Sequence, residues 1–156
     1  MPIEIEKKFL VKDDGWKMLK CLKRVPIKQG YLSKASKHTV RIRVTDSKAQ
    51  ITIKGPTKGI TRSEYEYEIP LADGLELIEM CDAPIINKTR YVMQDHLGQV
   101  WEVDEFRGIN EGLLVAEIEI PTEGTAVTLP DWIGKEVSHD RRYTNAYLTA
   151  HHVPQE

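Results

Sequence analysis

Charged residues recur two apart through almost the whole chain, and that spacing constrains the fold more than any other feature. Glu4, Glu6 and Lys8 begin it, and Arg41 with Arg43, Glu64 with Glu66 and Glu68, Lys88 with Arg90, Glu102 with Asp104, and Glu117 with Glu119 repeat it. Successive side chains of a β-strand point to opposite faces, so each group lines one strand face. The alternate positions are apolar, as with Ile3, Ile5, Phe9 and Val11 in the first segment and Tyr65, Tyr67 and Ile69 in the fifth. Those faces call for burial, so the charged faces must look elsewhere.

Eight segments carry strand character: Ile3–Val11, Ile27–Ser33, Thr39–Thr45, Ala49–Gly55, Arg62–Pro70, Ile86–Gln94, Gln99–Arg107 and Leu113–Pro121. Short polar connections such as Thr45-Asp46-Ser47-Lys48 and Asp95-His96-Leu97-Gly98 favour antiparallel hairpins. Helical spacing appears over Gly15–Arg24, through Trp16, Leu19 and Leu22, and over Gly74–Cys81. A third helix is expected after a Ser138 cap, with Tyr143, Ala146, Tyr147 and Ala150 on one face. The expectation is a predominantly β, α+β domain spanning residues 1–156, with its helices packed outside an antiparallel sheet. An open sandwich would turn the charged faces to bulk water, whereas eight strands that close would turn them into a common lumen.

A solvated face with cross-strand ion pairs accounts for any one doublet. The set, however, is segregated by sign. Arg41 and Arg43 have no acidic neighbour on their own strand face, and Glu64, Glu66 and Glu68 have no basic one beyond Arg62. An anion would relieve the basic group and divalent cations the acidic one, so a metal-chelated polyphosphate satisfies both. Arg41, Arg43 and Arg90 offer planar forks for phosphate oxygens, and Lys8, Lys54 and Lys88 offer point charges. The glutamates supply the hard oxygen ligands that Mg2+ or Mn2+ prefers.

A net charge of −2 gives no overall attraction for nucleic acid or an anionic membrane, and neither is expected as a partner. Cys21 and Cys81 fit no zinc spacing, and with no secretory signal or long apolar span the chain reads as cytoplasmic with reduced thiols. The run Lys54-Gly55-Pro56-Thr57-Lys58-Gly59 lacks the Gly-x-x-x-x-Gly-Lys order of a phosphate loop and reads as a hairpin connection. His151 and His152 read as a solvated tail rather than a metal pair.

The ordered series resembles the CYTH superfamily, the triphosphate tunnel metalloenzymes, whose name joins adenylate cyclase and thiamine triphosphatase. Glu4-Ile5-Glu6-Lys7-Lys8 matches the signature Glu-x-Glu-x-Lys. Arg41-Ile42-Arg43, Thr52-Ile53-Lys54, Glu64-Tyr65-Glu66, Lys88-Thr89-Arg90, Val103-Asp104, Glu117-Ile118-Glu119, Gly134-Lys135-Glu136-Val137 and Arg142-Tyr143-x-Asn145 follow in order. Thr52 stands where members often carry a second basic residue.

The resemblance implies an eight-stranded antiparallel closed β-barrel, a tunnel whose lumen binds triphosphate with Mg2+ or Mn2+, as two ions. It implies Glu4, Glu6 and Glu119 as ligands of the metal that bridges phosphate oxygens, with Glu64, Glu66, Asp104 and Glu117 near a second ion or the attacking water. It implies Lys8, Arg41, Arg43, Lys54, Lys88 and Arg90 as phosphate clamps, with Lys135 reaching in from the closing segment. Tyr31, Glu64, Lys88 and Glu117 are the expected catalytic set, Tyr31 orienting a lumen group near Lys88. The activity implied is metal-dependent hydrolysis of inorganic tripolyphosphate to release orthophosphate. A nucleoside triphosphatase, a class IV-like adenylate cyclase, a thiamine triphosphatase and a non-catalytic polyphosphate-binding module are the alternatives. The apolar outer faces also suit a homodimer.

Overall fold

The computed structural model describes residues 2–35, 37–82 and 84–149. The strands, in chain order, are β1 (Ile3–Val11), β2 (Lys20–Lys34), β3 (Thr39–Val44), β4 (Ala49–Lys54), β5 (Thr61–Ile69), β6 (Ile86–Gln94), β7 (Val100–Phe106), β8 (Leu114–Glu119) and β9 (Ile133–Glu136). All pairings are antiparallel, in the order β5-β4-β3-β2-β6-β7-β8-β1-β9. A further β1–β5 pairing, Ile3 to Ser63 through Ile5 to Thr61, closes the first eight strands into a barrel. β9 lies outside that circuit, paired with β1 at Phe9 and Val11.

Local chemistry sets the turns. Asp95 Oδ1 accepts from the backbone N–H of Leu97 and Gln99, its Oδ2 accepts from Trp101 Nε1, and Gly98 takes φ +82 between β6 and β7. Lys58 and Thr61 exchange backbone hydrogen bonds at 2.7 and 2.9 Å, so the Lys54–Gly59 run is the hairpin expected.

Three expectations need correction. Residues 15–24 do not form a helix: a 3-10 turn covers Asp14–Met18, Leu19 is extended, and β2 starts at Lys20. Leu22, required for the apolar face of that helix, is exposed, and the pairing of Lys20–Gln29 with β6 outweighs weak helical spacing. Pro26 is tolerated because β3 pairs with β2 only from Lys28 onward, leaving the other edge open at Pro26.

The C-terminal segment is likewise a 3-10 turn (Arg141–Tyr143) and one short helix, α2 (Asn145–Leu148), capped by Asp140 and Thr144. Ser138 instead accepts a hydrogen bond from the backbone N–H of Lys8. Ala150, His151 and His152 lie outside the described residues. The third correction concerns burial: Ile3 and Tyr67 are 56% and 57% exposed, although their strand faces read as apolar cover.

The helix expected at Gly74–Cys81 is present as α1 (Leu71–Met80) and packs outside the barrel. Its Leu71, Leu77 and Ile78 meet Ile42, Val44 and Ala49, and a side chain at Gly74 would strike Ala49. A larger cluster, centred on Phe9, Trp101, Val103, Ala116 and Trp132, also covers the outer faces of the wall. A third cluster fills part of the interior: Ile86, Phe106, Val115 and Leu10 share strand-face parity with the charged doublets, and Tyr143 and Leu148 of the C-terminal segment join them. Among the described residues no helix is long and apolar enough to cross a membrane.

Candidate active site

Strand register brings groups that are separated by sign along the chain into contact across the wall. Arg41 faces Tyr31 and Thr52, Glu66 faces Thr52, Lys54 faces Glu64, Lys8 faces Glu117, and Asp104 faces Arg90. Of these, Arg41, Lys54, Glu64, Glu66, Arg90 and Glu117 line a cavity of about 240 Å³. Its lining comprises Glu4, Glu6, Glu64, Glu66, Glu102, Glu117 and Glu119, with Arg41, Arg43, Lys54, Arg90 and Asn145. A recess of about 70 Å³ adjoins it, adding Lys8, Tyr31, Thr39, Arg62, Thr144 and Ala146 to the shared walls.

The unrelieved like charges expected from the sequence are largely compensated by these cross-strand contacts. Lys54 Nζ donates to both oxygens of Glu4 at 2.9 and 3.1 Å and lies 3.3 Å from Glu64. Arg41 donates to Thr52 Oγ1, which donates to Glu66, and Arg41 itself lies 3.6 Å from Glu66. Thr52, which replaces a basic residue of the family pattern, therefore links a cation to an anion. Arg90 forks onto Asp104 at 2.8 and 2.9 Å and reaches Glu102 at 3.2 Å. Lys88 donates to Asp104 at 2.7 Å and to Asn145 Oδ1 at 3.3 Å. Lys8 lies 3.6 Å from Glu117.

Compensation is incomplete on the acidic side. Burial, reinforced by Glu117 and Glu4, pushes the Glu6 carboxyl well above its ordinary range. Burial and its hydrogen bond with Glu4 push Glu64 up to about 7. Burial also disfavours the charged forms of Asp104 and Glu117, but Arg90 and Lys88 hold Asp104 well below the usual range, and Lys8 and Arg90 hold Glu117 at about 2. On the basic side, burial lowers Lys88 to about 7, with Arg90 and Arg43 adding to the effect against the pull of Asp104. Burial lowers Arg43 to about 9, helped by Arg41 and Arg90.

The structure thus gathers nearly all the expected residues. Lys88 and Asp104 lie behind the lining, almost wholly buried, and Glu119 stands exposed at the end of β8. Lys135 is the exception: it is exposed on β9 and belongs to neither cavity lining, because β9 runs outside the closed barrel. Three contributors had no assigned role. Glu102 shares the spacing of Asp104, Asn145 ends the Arg142-Tyr143-x-Asn145 motif, and Gln29 shares strand parity with Tyr31. Among the described residues no three acidic, histidine or cysteine side chains stand ready as a cation cage; Lys54 occupies Glu4, while Lys88 and Arg90 occupy Asp104.

Comparison with known proteins agrees with this arrangement. The CYTH domain model matches residues 2–145. An inorganic triphosphatase of Acetivibrio thermocellus is 49% identical over 146 residues, covering 93% of this chain and 92% of the relative. An inorganic triphosphatase of Nitrosomonas europaea is 35% identical over 150 residues, covering 93% of this chain and 95% of the relative. The crystal structure of an inorganic triphosphatase superposes with a TM-score of 0.70 at 32% identity, covering 99% of each chain.

Proposed function

The chain belongs to the CYTH domain family, and from that premise we propose that it hydrolyses inorganic tripolyphosphate in its charged lumen with Mg2+ or Mn2+. The observation that carries this reading is the charge balance of the cavity: seven acidic side chains line it against four basic ones. A bare triphosphate would face those carboxylates unscreened, whereas one carrying divalent cations would satisfy both sets. The all-carboxylate donors fit such a hard cation, and Glu6 and Glu64, both with raised carboxyl values, are the groups that gain most from it. Similarity to two inorganic triphosphatases, 49% and 35% identical over most of this chain, supports the substrate.

Glu4, Glu6 and Glu119 would hold one ion and Glu64, Glu66 and Glu117 a second, with Asp104 keeping the neighbouring cations in place. The bound ions would supply charge neutralisation of the phosphate oxygens and in-line positioning of the attacking water. Arg41, Arg43, Arg90, Lys54 and Lys8 clamp the phosphates. Lys54 exchanges Glu4 for phosphate as it does so. Cations beside Glu6 and Glu64 would lower both raised carboxyl values, and Lys88, brought by burial to about 7, is then the group poised to change protonation near neutrality. We assign it the water's proton, with Tyr31 lining the recess nearby. Both cysteines are unpaired, which supports a cytoplasmic setting.

A groove of about 380 Å³ lined by Val92, Val100, Ile120, Pro121 and Val127 shares Glu102 and Glu119 with the cavity. It favours, as a second reading, a triphosphate that carries an organic group. One panel separates the readings: tripolyphosphate, ATP and thiamine triphosphate, each with Mg2+, Mn2+ or EDTA, scored for orthophosphate, pyrophosphate and cyclic AMP. Orthophosphate from tripolyphosphate, abolished by EDTA, is expected. Tight binding with no product would favour a polyphosphate-binding module, and cyclic AMP with pyrophosphate a cyclase.

A further inference from the structure

Among the described cations that line the main cavity, Arg43 stands apart. Lys8, Arg41, Lys54, Lys88 and Arg90 each have a carboxylate within 4 Å, whereas Arg43 is held by a neutral amide, its Nε donating to Gln29 Oε1 at 2.9 Å. Gln29 is fully buried on β2, directly opposite Arg43 on β3, and lies outside both cavity linings. Turning the amide over would set two N–H donors against each other, so the contact fixes which end faces Arg43. Gln29 Nε2 has no partner, so what the amide contributes here is its acceptor oxygen, turned toward Arg43.

We propose that Gln29 is a positioning residue that orients Arg43 as the uncompensated cation of the main cavity, so that an incoming phosphoryl group takes the place an acidic partner would fill. A carboxylate at position 29 would hold the guanidinium equally well but neutralise it before any anion arrived. The amide fixes Nε and leaves the charge available. The depressed value of Arg43, caused by burial and then by Arg41 and Arg90, is what an unpaired buried cation should show. This inference rests on the triphosphatase reading and adds to it the residue that makes one phosphate contact stronger than the rest.

The test compares Gln29→Met, which keeps length and removes the acceptor, with Gln29→Glu, which keeps the acceptor and adds charge. With tripolyphosphate as substrate, Gln29→Met should raise KM by about tenfold with little change in kcat. Gln29→Glu should raise KM further, although it preserves the hydrogen bond. In an Arg43→Gln background Gln29→Met should produce no further loss, because Gln29 acts through Arg43. Wild-type KM in both folded variants would overturn the proposal, and so would equal effects with Arg43 present or absent. Should the variants fail to fold, nitrogen NMR of the wild-type protein decides. A slowly exchanging Arg43 Nε–H at neutral pH supports the contact, and rapid exchange overturns it. Failure of the wild-type protein to release orthophosphate would instead overturn the triphosphatase reading.

Discussion

Lys54 Nζ grips both carboxylate oxygens of Glu4 across the seam where β1 closes onto β5, at 2.9 and 3.1 Å. The ammonium holds the place a cation would take on that carboxylate, so the site exchanges partners when it loads. Lys54→Met should therefore bind Mn2+ several-fold more tightly in the absence of phosphate, yet show a KM for tripolyphosphate raised by about tenfold. Calorimetric Mn2+ titration and steady-state kinetics on one preparation test it; unchanged Mn2+ affinity would refute the exchange.

Replacing Glu4 and Glu6 together by Gln should lower metal-dependent turnover by at least about a hundredfold while leaving the fold intact, since the pair is proposed to bind the bridging cation. Circular dichroism checks the fold and phosphate release the rate. Turnover equal to wild type at saturating Mg2+ would remove both residues from the metal site.

Stability of the metal-free protein should fall as pH rises from about 5 to 7. Glu64 is raised from its ordinary 4.5 to about 7 in the fold, so over that interval the folded state holds more protons than the unfolded chain, and each step upward favours unfolding. Glu6 acts in the same direction. Glu117, held at about 2, has the opposite sign: its contribution is complete above 4.5 and is lost only as pH falls through 2. Urea midpoints in EDTA at pH 5, 6 and 7 should decline, and Glu64→Gln should flatten the decline.

Turnover with Mg2+ should rise through about pH 7 and then level, following deprotonation of Lys88. Lys88→Arg, which stays charged, should lose at least about a hundredfold in kcat. A sharp acidic optimum would exclude Lys88 as the proton acceptor.

Lys135→Ala should keep activity within about twofold, because its place on β9 is outside the lumen and exposed surface changes are usually mild. Gly74→Ala should do the reverse, destabilising by about 2 kcal/mol through collision with Ala49 while KM stays constant. Thermal melts and kinetics of the two proteins make a matched pair.

The site was legible because period two assigns a face without any knowledge of the partner strand: Glu4, Glu6, Arg41, Arg43, Glu64 and Glu117 all reach the cavity. Who meets whom was not legible. The pairing of Lys54 with Glu4 and of Arg41 with Glu66 depends on register across strands far apart in the chain. Residues 15–24 misled because Trp16, Leu19 and Leu22 fit a helical face, while the β6 edge that claims the stretch from Lys20 onward lies roughly 70 residues later. Lys135 misled in a different way: a motif gives order along the chain and says nothing of the side of the wall on which β9 lies.

Most of the apolar packing, around Trp101 and against α1, lies on the outer side of the same strands whose inner side carries the charge. Stability and chemistry are therefore written on alternate letters of one text. Exchanges among the inner letters can alter what the lumen accepts while the outer letters keep the barrel standing. Deleting a single residue within a strand would swap the two scripts along everything that follows in that strand, and lose both at once.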